Sequence, residues 1–130
     1  MARVLITGSR ESSDVMLEKA QEVIEWVQAQ GHVVIVGDAR GIDAEVRKTC
    51  HLLHVAVAVY GAYNKIRGCC YPGEEYHTIS GDYLTRDRVM AKLCDLCVGI
   101  WNGIEPSGSA ATMRYARRMG KRVYERKFVG

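Results

Sequence analysis

The chain has 130 residues, 48% of them hydrophobic, which suits one compact domain, 1–130, burying a core without disulfides or metal. Its 18 Lys and Arg against 15 Asp and Glu leave a formal charge of +3, too mild to announce a nucleic-acid binder. The longest apolar stretches are of strand length and broken by His or Gly, and Met1-Ala2-Arg3 enters a strand almost at once, so neither a membrane span nor a secretory leader is expected.

Val4-Leu5-Ile6 reads as a short buried strand, followed by the turn Thr7-Gly8-Ser9-Arg10. Ser12, Ser13 and Asp14 are N-cap candidates for a helix whose apolar face is Leu17, Ala20, Ile24 and Val27, ended by Gly31. A second strand, His32 to Val36, leads through Gly37-Asp38-Ala39-Arg40-Gly41-Ile42-Asp43 into another helix. Val55 to Tyr60 is a third strand, apolar almost throughout, as parallel strands covered on both faces are.

The segment 61–82 has little periodicity and is long for a connection, with Tyr63, Arg67, Tyr71, Tyr76 and His77 along it. It reads as a lid that supplies aromatic stacking, or as an insertion that is disordered or touches a second subunit. Tyr83 to Leu93 has helical spacing, Leu96 to Trp101 is a buried strand, Ala110 to Met119 is a helix closed by Gly120, and Arg122 to Tyr124 is a last short strand. The pattern predicts an α/β domain with a mainly parallel sheet of about five strands and helices on both faces.

Five cysteines cannot all pair internally, and without a leader a reducing cytoplasm is the expected setting. Cys94 and Cys97 are spaced like a redox or metal pair, but one falls at a helix end and the other inside a strand, where both read as small buried hydrophobes. Cys69-Cys70 with His77 lacks a second half for a zinc site. The expectation is therefore no metal and no bound cofactor.

Chemistry concentrates where glycine-bearing turns follow strands. Gly103-Ile104-Glu105-Pro106-Ser107-Gly108-Ser109 joins a strand to a helix, a place where free amides and the helix dipole favour an anion. The spacing from Gly103 to Gly108 imitates a nucleotide-triphosphatase loop, but Ser109 stands where that loop has its Lys. The first turn lacks G-x-G-x-x-G, so no nicotinamide dehydrogenase is indicated. In a parallel sheet with right-handed crossovers, the turns at Gly8, Gly37 and Gly103 share the carboxyl edge, where ligands bind.

Taken together, Val4 to Arg10, Gly37 to Asp43, Arg86-Asp87-Arg88-Val89-Met90 and Ile100-Trp101-Asn102-Gly103 running on to Thr112 resemble the SLOG superfamily, and within it the small YspA-like branch. The resemblance covers nearly the whole chain in order. It implies a Rossmann-like fold that binds nucleotides or nucleotide-derived ligands, often as a homo-oligomer. The ligand-binding residues it suggests are Gly8, Ser9, Arg10, Gly37, Asp38, Gly41, Asp43, Arg86, Gly103, Ser107, Gly108, Ser109 and Thr112. In that reading the Ser9 and Ser107–109 amides, Thr112 and Arg86 hold a phosphate, Asp38 or Asp43 accepts from ribose, and a lid tyrosine stacks on the base.

Two relatives sharpen the alternatives. In the "lonely guy" phosphoribohydrolases an Arg similar to Arg86 works with a Glu whose place is taken here by Thr112; Glu105, Asp87, Glu74 and Glu75 are the substitute carboxylates, with Arg86 and Glu105 the catalytic candidates. The DNA-processing protein A Rossmann domain carries a turn similar to Ala39-Arg40-Gly41-Ile42-Asp43, and it binds single-stranded DNA. A basic C-terminal region from Arg114 to Lys127 could track phosphates, but Arg and Lys at helical spacing commonly mark a solvated face. Small-nucleotide binding ranks first, a glycosidic-bond enzyme and a single-stranded DNA module after it.

Overall fold

A computed structural model describes residues 1–129. It has six strands and four helices: β1 (Arg3–Gly8), α1 (Asp14–Gln30), β2 (Val33–Val36), α2 (Ile42–Leu53), β3 (Val57–Gly61), β4 (Glu75–Thr78), α3 (Tyr83–Leu93), β5 (Leu96–Trp101), α4 (Gly108–Arg118) and β6 (Arg122–Lys127). The sheet order is β4-β3-β2-β1-β5-β6, every pairing parallel. From the central β1 the chain builds outward to β4 and then returns to β5 on the other side, so the switch point lies between β1 and β5.

Alternation along the strands feeds two cores. Val4, Ile6, Val34, Val36, Val98 and Ile100 face α1 and α2, where Ala20, Ile24, Val27, Ile42 and Val46 cover them. Leu5, Ile35, Tyr60, Cys97 and Trp101 face the other way, under Met90, Ala91, Ala110, Met113 and Ala116 of α3 and α4. Gly99 leaves the space that Met113 fills. Strands buried on both faces need apolar residues at consecutive positions, hence the continuous runs in β1, β2 and β5.

The sheet has six strands where five were expected. β4 lies inside 61–82 and escapes the pattern because it is a polar edge strand, Glu75-Tyr76-His77-Thr78, held by its ladder to β3 and by His77 stacked on Tyr60 at 4.7 Å. The segment is also fastened elsewhere. Tyr63 and Asn64 donate to the carbonyls of Gly81 and Ile79, and Ile79 donates to that of Gly61. Arg47 of α2 forms a bidentate pair with Glu74. These bonds make it a strapped insertion rather than an open flap.

Candidate functional site

The carboxyl ends of β1, β2 and β5 meet the N-termini of α3 and α4 around a cavity of about 490 Å³. Gly8, Ser9, Arg10, Gly37, Asp43, Arg86, Ser107, Gly108 and Ser109 all line it. Asp38, Gly41, Gly103 and Thr112 do not, and Glu105 lines a neighbouring hollow, where it pairs with exposed Arg114 at 3.1 Å.

The floor is a lattice of carboxylates and guanidinium groups. Asp38, whose side chain is fully buried, accepts from Arg67 Nη2 and Arg86 Nη1 on one oxygen, each at 2.8 Å, and from the Arg67 amide on the other. Arg86 turns its remaining edge to Asp87, with Nε and Nη2 at 3.1 and 3.0 Å from a single oxygen. Burial pushes the Asp38 carboxyl up, but its hydrogen bonds and ion pairs with Arg67, backed by the charge of Arg86, outweigh this and hold it below the usual range. Burial likewise raises Asp87, against the pull of Arg86. At Asp43 burial dominates and carries the carboxyl up to about 7, although Arg86 and the Ala39 amide oppose it.

Several expected ligand groups are thus occupied within the protein. Asp38 anchors two arginines. Ser9 spends its amide on the Ile100 carbonyl, its carbonyl on the Ile42 amide and its hydroxyl on the Asn102 amide, tying β1 to α2 and to the end of β5. Thr112 is 1% exposed and its hydroxyl donates to the Gly108 carbonyl one turn back. Gly41 has φ of 79° and presses against the backbone of Ser9 and Arg10, and a Cβ on Gly37 would stand 2.8 Å from a carboxylate oxygen of Asp43. These glycines bring the turns close to one another.

The start of α4 is different. Ser107 caps it, accepting from the Ala110 amide, so the amides of Gly108 and Ser109 have no acceptor within the helix. A Cβ on Gly108 would meet only a carboxylate oxygen of Asp87, at an ordinary 3.6 Å, so the backbone there is open to the cavity. Arg10 is exposed on the rim, and among the described residues no carboxylate lies within ion-pair reach of it.

Sequence reasoning missed the cavity role of Tyr83, whose ring lies 4.3 Å from the Arg67 guanidinium and 5.1 Å from that of Arg86. The signal was the Ser80-Gly81-Asp82 cap, which places Tyr83 in the first turn of α3. The lid tyrosines lie elsewhere. Tyr71 stacks on His51, the Tyr76 hydroxyl donates to Glu74, and Tyr63 meets Tyr83 edge-on. Of the lid residues singled out, Arg67 alone lines this cavity. Among the described residues, no cluster of three or more His, Cys, Asp or Glu is placed to hold a metal, and no helix is long and apolar enough to cross a membrane.

An open, doubly wound α/β domain with its cleft at the switch point is the architecture of nucleotide- and cofactor-binding domains. No family model and no curated protein matches the chain. Solved structures do. The chain is similar to TM1055, with 21% identity and a TM-score of 0.79 over 95% of this chain and 72% of that one. It is similar to the molybdenum cofactor binding protein of Rippkaea orientalis, with 12% identity and a TM-score of 0.80 over 95% and 75%. It is also similar to DNA processing protein A of Helicobacter pylori, a protein described by its single-stranded DNA binding mode, with 19% identity and a TM-score of 0.73 over 95% of this chain and 64% of that one. At these identities the likeness is one of fold. The Rossmann-like fold expected from the sequence is the one they share, and a DNA processing protein A is among the matches.

Proposed function

We propose that this chain binds a nucleotide or nucleotide-derived small ligand, as a sensor or carrier, with a phosphate seated on the free amides of Gly108 and Ser109. The observation that carries the reading is the open N-terminus of α4 facing a cavity at the switch point, with Arg10, which has no carboxylate partner among the described residues, on its rim. A phosphate there gains charge-assisted hydrogen bonds of about 1.5–3 kcal/mol each and the favourable end of the helix dipole. The molybdenum cofactor binding for which the Rippkaea protein is named is consistent with it. A homo-oligomer and a reducing cytoplasm belong to the same proposal.

A second reading, a glycosidic-bond enzyme acting on nucleoside 5′-monophosphates or NAD-derived nucleotides, is favoured by one specific feature. Asp43 and Asp87 are buried carboxylates on the cavity wall beside Arg86, so carboxylates stand in the cavity although Thr112 takes the place of the relatives' Glu. A single-stranded DNA module ranks lower. Arg117 pairs with Glu125, Arg114 with Glu105, and Lys121 is held by the carbonyls of Lys92 and Cys94, so much of the C-terminal basic region is engaged.

The test is incubation of the purified protein with nucleoside monophosphates, NAD, ADP-ribose and cyclic nucleotides, followed by mass spectrometry of retained and free fractions. An intact nucleotide retained with the protein supports the sensor or carrier. Free base or ribose phosphate establishes the enzyme instead, and the absence of both retention and turnover across the panel overturns both readings.

A further inference from the structure

Beside the main cavity lies a second one, of about 350 Å³, and the two share a wall made of Arg10, Ala39, Arg40 and Arg67. Its further lining includes Arg47, Ala44, Gly68 and Tyr71. The arginines differ in how far they are committed. Arg47 is closed off, paired with Glu74 at 2.8 Å with both side chains 2% exposed. Arg67 gives its charge to Asp38 yet keeps a 35% exposed side chain. Arg40 is held only by Glu11, in a pair whose side chains are 72% and 78% exposed, the kind that water screens to little net value. Arg10 has no carboxylate partner among the described residues.

Among the described residues, Asp38 is the one carboxylate on this second lining, and its fully buried side chain is already shared by two guanidinium groups. α2 begins on the other side. Its N-cap Gly41 offers no side-chain acceptor, its Ile42 amide is taken by the Ser9 carbonyl, its first turn carries Asp43, held by the Ala39 amide, and Glu45, and Ala44 is exposed on the cavity wall. The wall with available guanidinium groups is what suits a second anionic group.

We propose that this second cavity is an anion subsite, and that the ligand is a nucleotide carrying two separated phosphoryl groups, one on the α4 amides and one beside Arg10 and Arg40. Nucleoside bisphosphates and 5′-phosphorylated dinucleotides share that chemistry. The proposal rests on the phosphate site at Gly108 and Ser109 described above.

Titration calorimetry with AMP, adenosine 3′,5′-bisphosphate and the 5′-phosphorylated dinucleotide pApA separates the claims, using the parent chain, Ala44→Glu and Ala44→Gln. Ala44 is exposed in a first helical turn, where Glu is well accommodated, so thermal unfolding should stay near the parent's. The expected result is that a second phosphoryl group tightens binding about tenfold or more over AMP. Ala44→Glu then removes that advantage while leaving AMP binding within about twofold, and Ala44→Gln, of matching size without the charge, keeps most of it. Which of the two probes binds more tightly distinguishes the sources. If AMP binds and neither probe gains, or Ala44→Glu changes nothing, the subsite is overturned and the phosphate site stands. If none of the three binds, both fall. If affinity keeps rising through a six-nucleotide strand and is lost with salt, the small-ligand assignment is overturned in favour of nucleic acid.

Discussion

Arg47 and Glu74 face each other in a two-pronged ion pair, Nε and Nη2 at 2.8 and 2.9 Å from the two carboxylate oxygens, with both side chains almost fully shielded. Arg47 also donates to the Arg67 carbonyl, and Glu74 accepts from the Tyr71 amide and the Tyr76 hydroxyl. The pair is the rivet between α2 and the insertion that carries β4. Removing one partner strands a buried charge. Glu74→Ala is expected to cost about 3–5 kcal/mol in chemical denaturation, and Glu74→Gln less because hydrogen bonding to Arg47 partly survives.

Arg86 stands between Asp38 and Asp87 and beside Asp43, so its first role is to neutralise carboxylates. Arg86→Ala is expected to lose about 3–5 kcal/mol of stability at neutral pH with no ligand present, and to recover part of it on acidification as the exposed negative charges take up protons. Denaturation curves at pH 5 and pH 8 check this. An equal loss at both values would mean that packing, and not charge, is what Arg86 supplies.

Asp43 titrates at about 7 in the folded chain, well above its ordinary value of 3.8. Across that window the folded state holds a proton that the unfolded state has given up, so stability falls as pH rises from about 4 to 7 and levels off above. Asp43→Asn removes the slope. Its thermal midpoint should exceed the parent's at pH 8, and the difference should shrink toward pH 5.

Gly108 offers a cleaner probe of the phosphate seat than Arg86, because its added methyl group would touch only Asp87, at 3.6 Å. Gly108→Ala should leave the thermal midpoint unchanged or raise it by the small amount that Ala gains over Gly at a helix start, while nucleotide affinity drops about tenfold or more. Calorimetry with whichever nucleotide the parent retains decides it. Unchanged affinity would place the phosphate elsewhere.

Where the sequence was legible, burial on two faces had written it. Val4-Leu5-Ile6, Val33 to Val36 and Leu96 to Trp101 are apolar throughout because α1 and α2 cover one side of the sheet and α3 and α4 the other, and the three strand-end turns at Gly8, Gly37 and Gly103 meet at one cavity, the third through Ser107 to Ser109 and not through Gly103 itself. β4 was illegible for the opposite reason: an edge strand with one ladder and mostly exposed side chains carries no hydrophobic period. At the site, residue type located the groups, but partners decide what they do. Asp38 looks like a ribose acceptor until Arg67 and Arg86, 29 and 48 positions away, fill its oxygens, and no local pattern encodes such a distance.

The place of β1 also has a temporal meaning. Within this domain it is made before the other strands, yet its lasting neighbours are β2 and β5, and the pairing of Val4 waits until Leu96 has been made. The Ser9 turn is pinned by Ile100 and Asn102, and the α4 amides emerge later still. Contacts so far apart in sequence close slowly. A nascent chain that stops short of α4 has no Gly108 and Ser109 amides to offer, so ligand can act on this domain only after α4 has been made.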